Sequence, residues 1–121
     1  MKYLCLVCME ETKLNGMPKA ELDAMIAEHL AYDDTLRRRG NFLTAAALQS
    51  VKTATTVRVR QGRTALTDGP FAETKEQVGG FIFIEARDLN EAVEIAARIP
   101  SARHGSVEVR PVWELVPPAG A

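Results

Sequence analysis

Two segments that are apolar on both faces constrain this chain more than anything else in it. Residues 2–9 read Lys2-Tyr3-Leu4-Cys5-Leu6-Val7-Cys8-Met9, and residues 80–86 read Gly80-Phe81-Ile82-Phe83-Ile84-Glu85-Ala86. Successive side chains of a strand point to opposite faces, so neither segment has a polar face to turn to water. Both therefore belong in the middle of a sheet, and the second reads as its strongest strand.

The other elements follow from period and punctuation. Asn15-Gly16-Met17-Pro18 is a turn, with Pro18 suited to the first helical position. Lys19–Arg39 follows a helical period, with Leu22, Met25, Ile26 and Leu36 on one face and Leu30 and Tyr32 at its edges. Arg37-Arg38-Arg39 complement the helix dipole in the last turn, and Gly40 is a ready stop. Asn41–Leu48 reads as a strand. Val57–Arg60 and Arg63–Thr67 flank Gln61-Gly62 as a hairpin, with Val57 and Val59 on one side and Arg58 and Arg60 on the other. Asp88 and Glu91 fit a capping box opening a helix that runs to Ile99 and stops at Pro100, with Leu89, Val93 and Ala96 inward. Ser106–Leu115 is the last strand, with Val107, Val109, Trp113 and Leu115 on one face and Glu108, Arg110 and Glu114 on the other.

The order β-α-β, hairpin, β-α-β predicts an α+β fold: two helices on one face of a mostly antiparallel sheet, ferredoxin-like, carrying one inserted hairpin. The opposite sheet face holds residues such as Phe81 and Phe83, joined by Trp113, with no helix left to cover it. An open apolar face of that size requires a partner, so a face-to-face homodimer enclosing a cavity between sheets is expected.

Composition narrows the function classes. A chain of 121 residues, 46% hydrophobic and 26% charged, is expected to form a single domain over residues 1–116 with a flexible tail at 117–121. A net charge of −1 offers no basic balance to attract nucleic acid or an anionic membrane. No apolar run approaches the ~20 residues of a membrane span. The apolar N-terminus meets Glu10-Glu11 without a cleavage pattern, which favours a strand over a secretion signal and makes the cytoplasm the expected compartment. Cys5 and Cys8 lie three apart on a strand and so point oppositely; a shared metal or a disulfide between them is not expected, and both read as buried apolar thiols. Without a G-x-G-x-x-G, a phosphate loop, an H-E-x-x-H or a nucleophile elbow, no cofactor is expected.

The residues that could carry chemistry start with His29. It falls about 20° from the middle of the apolar helical stripe, and Asp33 follows one turn later on the other side of that line. A histidine and an acid where hydrocarbon is expected should either hydrogen-bond to each other or line a wet pocket. Such an imidazole is a candidate acid or base. The plainer reading is a structural pair anchoring the helix. Asp68 ends a strand at Asp68-Gly69-Pro70, where it could bond its own downstream amides or project into a pocket. Glu73 and Glu76 could rim such a pocket, and Gly79-Gly80 would let backbone approach a ligand. His104 reads as an exposed loop residue. Arg58, Arg60 and Arg63 make a basic patch without interleaved aromatics, suiting a protein contact or a guarded strand edge rather than nucleic acid.

The run Thr67-Asp68-Gly69-Pro70-Phe71-Ala72-Glu73-Thr74, with Gly79-Gly80-Phe81, resembles the signature of the YCII-related family in its DGPF branch. The resemblance extends from Met1 to about Val112, through Leu36-Arg37-Arg38-Arg39-Gly40, Thr53–Arg58, Ala96-Ala97-Arg98-Ile99-Pro100 and Val107-Glu108-Val109-Arg110-Pro111. It implies a ferredoxin-like fold assembled as a dimeric α+β barrel. In shorter members a His–Asp pair is proposed as an active site, and His29 matches the position of that histidine. Their aspartate lies just before the proline ending the second helix. Here that stretch is Arg98-Ile99-Pro100, so Asp33 or Asp68 would have to supply the carboxylate. Members of the DGPF branch also resemble proteins encoded beside extracytoplasmic-function sigma factors, which implies an alternative role as a non-catalytic regulatory partner of such a factor. The two expectations are thus a small-molecule enzyme or ligand-binding dimer using His29, and a protein-binding regulator.

Overall fold

The two doubly apolar strands lie side by side at the centre of a four-stranded antiparallel sheet. The computed structural model describes residues 1–120. In chain order these form β1 (Lys2–Met9), α1 (Glu11–Asn15), α2 (Lys19–Arg38), β2 (Phe42–Ala47), a 3-10 turn at Val51–Thr53, β3 (Thr55–Arg60), β4 (Arg63–Asp68), β5 (Gln77–Glu85), α3 (Leu89–Ala97), a 3-10 turn at Pro100–Arg103 and β6 (Ser106–Pro111). The sheet order is β2-β5-β1-β6, and β3 and β4 form a separate ribbon. This is the ferredoxin-like α+β arrangement the sequence predicts, with the hairpin inserted between β2 and β5. The short α1 is not singled out by the sequence pattern.

Register sorts the side chains. Tyr3, Cys5 and Val7 of β1 lie opposite Ile84, Ile82 and Gly80 of β5, and Cys5 and Val7 also lie opposite Val109 and Val107 of β6. These face the helices and build the core with Leu36 of α2, Ile95 of α3 and Ile99. Burying a side chain of that size stabilises by ~1.5–3 kcal/mol. Cys5 sits in this core, where burial pushes its thiol up to about 11, while Cys8 points to the other face and is half-buried. On that face Leu4 lies opposite Phe83, and Leu6 opposite Phe81. All four are half-buried, flanked on the β6 side by the Glu108–Arg110 ion pair.

The ends of α2 and α3 show how the sequence stops them. Gly40 takes φ +79°, so its amide reaches Arg37 O and that of Asn41 reaches Leu36 O, a left-handed cap that glycine adopts without penalty. At α3, Asp88 Oδ1 accepts from the Glu91 amide at 2.9 Å. Glu91 reaches back one residue beyond the expected position, to the Arg87 amide at 3.0 Å.

Three expectations need correction. The inner face of α3 is Ala92, Ile95 and Ala96, not Leu89, Val93 and Ala96; Leu89 and Val93 are half exposed. Asn90, Glu91 and Glu94 mark one polar side and the rest of the helix is a broad apolar face, so periodicity offers two overlapping stripes, and docking selects the one that leads into Ile99. The helix also ends at Ala97 rather than Ile99, because a residue before proline avoids the helical conformation and Ile99 turns extended ahead of Pro100. The last strand ends at Pro111, with one more bond from the Val112 amide to Lys2 O, because its partner β1 starts at Lys2 and offers nothing further to pair with. Trp113, expected on that strand and on the open face, lies past its end and is 84% exposed.

The hairpin closes through Gln61 and Gly62, both left-handed (φ 53° and 75°), the turn whose twist suits a two-residue connection. Val57 lies opposite Leu66 and Val59 opposite Thr64, while Arg58 lies opposite Ala65 on the other face. Val57, Val59 and Leu66 are all more than half exposed. Of the expected tail, residues 117–120 are exposed and Ala121 lies outside the described residues. Among the described residues no helix is long and apolar enough to cross a membrane.

Candidate functional site

Missing side-chain volume opens the site. Where β1 presents Tyr3, Cys5, Val7 and Met9 to the helices, β2 offers the run Ala45-Ala46-Ala47 and β5 begins Val78-Gly79-Gly80. Ala47 lies opposite Gly80 and Ala46 opposite Phe81. A β-carbon on Gly80 would stand 2.8 Å from Ala46 O, so only glycine lets β2 close on β5 there. Meanwhile α2 is pulled the other way. Tyr32 Oη donates to Ile95 O at 2.7 Å, and Arg103 pairs with Glu28 at 2.6 Å. At its C-terminal end α2 meets β2, where Arg37 lies over the Phe42 ring; toward its middle the small residues beneath it leave space unfilled. The result is a cleft of about 440 Å³ between α2, β2 and the start of β5, within the size range of small-molecule sites.

The cleft contains His29 and Asp33. His29 Nε2 lies 2.6 Å from Ser101 Oγ, and Ser101 is only 3% exposed. Pro100 sets that serine at the start of the 3-10 turn. Burial holds the His29 imidazole below its ordinary value, against the opposing pull of Asp33 and Glu28, so the neutral ring is favoured. Burial pushes the Asp33 carboxyl above its ordinary value, with Arg37 and His29 opposing. Asp33 Oδ1 is buried and has no hydrogen-bond partner among the described residues.

The expected site residues divide. The structure brings together His29, Asp33, Gly79 and Gly80 on one cleft. His29 and Asp33 do not hydrogen-bond to each other, the first of the two arrangements their spacing allows; both line the cleft, and the imidazole bonds Ser101 instead. The structure does not bring the other three acids there. Asp68 ends β4 in the exposed hairpin. Its turn is held not by its own carboxylate but by the Gly69 amide on Ala54 O and by Thr56 Oγ1 donating to Gly69 O at 2.7 Å. The signature run is thus the base of the hairpin. Glu73 lines a separate cleft with Val51, Lys52 and Pro70. Glu76 accepts from Ser106 Oγ at 2.6 Å.

Sequence reasoning missed three contributors. Ser101 follows Pro100 directly and occupies the partner role where an acid before the proline was sought. Glu11 of α1 lines the cleft and is held by Ser50 Oγ at 2.9 Å and the Val51 amide at 2.7 Å. The alanine run of β2 reads as strand by its pattern; facing Gly80, it is the available signal of a void. His104 is half-buried beside the 3-10 turn rather than fully exposed. Among the described residues no three His, Cys, Asp or Glu side chains gather as a metal site requires.

The YCII-related domain model matches residues 1–116. An uncharacterized protein of Rhizobium meliloti (strain 1021) is 34% identical over 114 residues, covering 93% of this chain and 92% of its own. The ferredoxin-like sheet, the match over nearly the full length and this relative agree: the chain belongs to the YCII-related domain family.

Proposed function

We propose that this protein binds a small molecule in the cleft between α2 and the β2–β5 edge, and that His29 gives or takes a proton there. One observation carries the reading: a half-buried imidazole, anchored through one nitrogen, shares an apolar cleft with a buried carboxylate oxygen that has no protein partner. Functional sites are where such unpaired polar groups persist.

The Ser101 hydroxyl suits this role. Its oxygen can accept from Nε2–H in both the neutral and the charged ring, which keeps the lone pair of the neutral ring on Nδ1. The imidazole can therefore change protonation state without losing its anchor. No hydrogen bond among the described residues engages Nδ1, which leaves that nitrogen for a ligand or water. A ring held neutral by burial is available as a base near pH 7. Asp33, close enough to bias the ring but not bonded to it, supplies a second polar contact.

Affinity measurements on fragments that bind wild-type protein test the reading. His29→Ala should weaken binding about tenfold or more, a loss of ~1.4 kcal/mol. Undiminished affinity in a folded His29→Ala protein would remove His29 from the site.

The open sheet face supports assembly as a face-to-face homodimer, since Leu4, Leu6, Phe81 and Phe83 form a contiguous apolar surface. A second reading has its own observation. The β3–β4 ribbon has Val57, Val59 and Leu66 exposed on one face and Arg58 on the other. A two-stranded ribbon is marginal alone, so it suits a protein contact, such as that of a regulatory partner of a sigma factor. Reversing Arg58, Arg60 and Arg63 to glutamate should then abolish capture of the sigma factor while leaving cleft binding intact.

A further inference from the structure

The cleft's lining also limits what it can hold, and this step rests on the reading that it is a small-molecule site. Its walls are largely hydrocarbon: Val7, Met9 and Ile82 at the sheet, with Ile26, Leu30 and Leu48 toward the mouth. Ile26, expected on the buried face of α2, and Leu30, expected at its edge, are 48% and 61% exposed, so the rim presents apolar surface to whatever enters. The charged lining is one-sided. Glu11 and Asp33 contribute carboxylates, and among the described residues no Lys or Arg lines the cleft.

The neighbouring cations are occupied elsewhere. Arg37 pairs with Asp34 at 2.6 Å and lies over the Phe42 ring, and Arg103 pairs with Glu28. An anionic ligand would therefore meet two acids, opposed only by the His29 imidazole, which burial holds toward its neutral form, and this costs affinity. The two acids differ in what they need. Glu11 is satisfied by Ser50 and Val51. Asp33 Oδ1 is satisfied by nothing, so it gains most from a ligand that brings a donor.

We infer that the cleft selects a small molecule with a hydrocarbon body and a hydrogen-bond donor head, an ammonium or a hydroxyl, and rejects carboxylates and phosphates. Asp33 is the specificity-determining residue: its carboxylate, on the cleft wall and without a hydrogen bond to the protein, receives the donor while the body lies against Ile26, Leu30 and the β2 alanines.

The test uses three probes on one scaffold: cyclohexylmethylamine, cyclohexylmethanol and cyclohexanecarboxylate. Each is titrated into 15N-labelled full-length protein and followed by the amide signals of the whole chain. The amine and the alcohol should move the signals of His29, Asp33, Ala46, Gly80 and Ser101, with at least one of them binding tenfold or more tighter than the carboxylate. Their order distinguishes a cationic head from a neutral one. Asp33→Leu should erase the discrimination, and Asp33→Asn, which keeps a neutral acceptor, should erase the preference of the amine over the alcohol where there is one. A carboxylate that moves the same signals with equal affinity would overturn the ligand class and leave the site standing. Probes that move none of those five signals would overturn the site itself.

Discussion

Asp33 and His29 are both displaced from their ordinary titration behaviour by burial, and in opposite senses. For His29 the folded state prefers the neutral ring. That preference contributes stability above the unfolded value of about 6.5 and is lost as pH falls from there toward the lower folded value. For Asp33 the folded state disfavours the charged form. The penalty is complete above its raised folded value and fades as pH falls toward the unfolded value of about 3.9. Denaturant titrations between pH 8 and pH 5 should show wild-type protein losing stability relative to His29→Gln below about pH 6.5. Parallel curves would mean that the ring is not held neutral. Asp33→Leu removes an unsatisfied buried oxygen, so it should stabilise the protein at pH 7 by ~1 kcal/mol, with the gain shrinking toward pH 4. Such a gain would show that the Asp33 carboxyl contributes nothing to holding the fold together, as expected of a group that serves a ligand, and a destabilised Asp33→Leu protein would take that argument away.

At the scale of elements, the cleft depends on how closely β2 approaches β5. Gly80→Ala puts a methyl group against the Ala46 carbonyl, and the backbone must give way. The expected loss is ~1–3 kcal/mol by denaturant titration, with weakened binding of any cleft ligand; an unaffected variant would show that β2 can retreat freely. Asp88→Ala should cost about 1 kcal/mol through the lost cap and leave the cleft unchanged, which separates loss of stability from loss of site. These elements also show what could be read beforehand. β1, β5, the hairpin, the Gly40 stop and the Asp88 cap were legible because each rests on local chemistry: alternation, a left-handed turn, a side-chain acceptor at a helix start. The face of α3 was not, because a helix with so broad an apolar face chooses its inner stripe by docking. Within the site, His29 and Asp33 stood out as polar residues on an apolar stripe. Ser101 did not, since a serine after a proline acquires meaning only when the 3-10 turn swings it 72 residues across the chain to the imidazole. Asp68, Glu73 and Glu76 drew attention by lying in a dense motif. The structure uses that motif to close the base of the hairpin, a backbone task that leaves the acids outside the cleft.

At the scale of the whole molecule, one face of the sheet is covered by α2 and α3 and the other is not. Leu6 sits near the middle of the uncovered face, opposite Phe81 on β5 and Glu108 on β6. In a single copy its side chain meets solvent, so a charge there can be hydrated and the core behind it is untouched. In a face-to-face dimer the same charge would be trapped between two apolar surfaces beside Glu108 of its own chain, which association cannot repay. Sedimentation equilibrium should therefore find wild-type protein at twice the 13.3 kDa chain mass and Leu6→Glu at the mass of one chain. Thermal unfolding supplies an independent check that does not rely on the variant folding. If dimerisation contributes to stability, the wild-type midpoint rises with protein concentration by mass action. A wild-type midpoint independent of concentration, together with a monomeric mass, would show that half-burial by neighbouring side chains suffices for Leu4, Leu6, Phe81 and Phe83, and the cleft would then be a site complete within one chain.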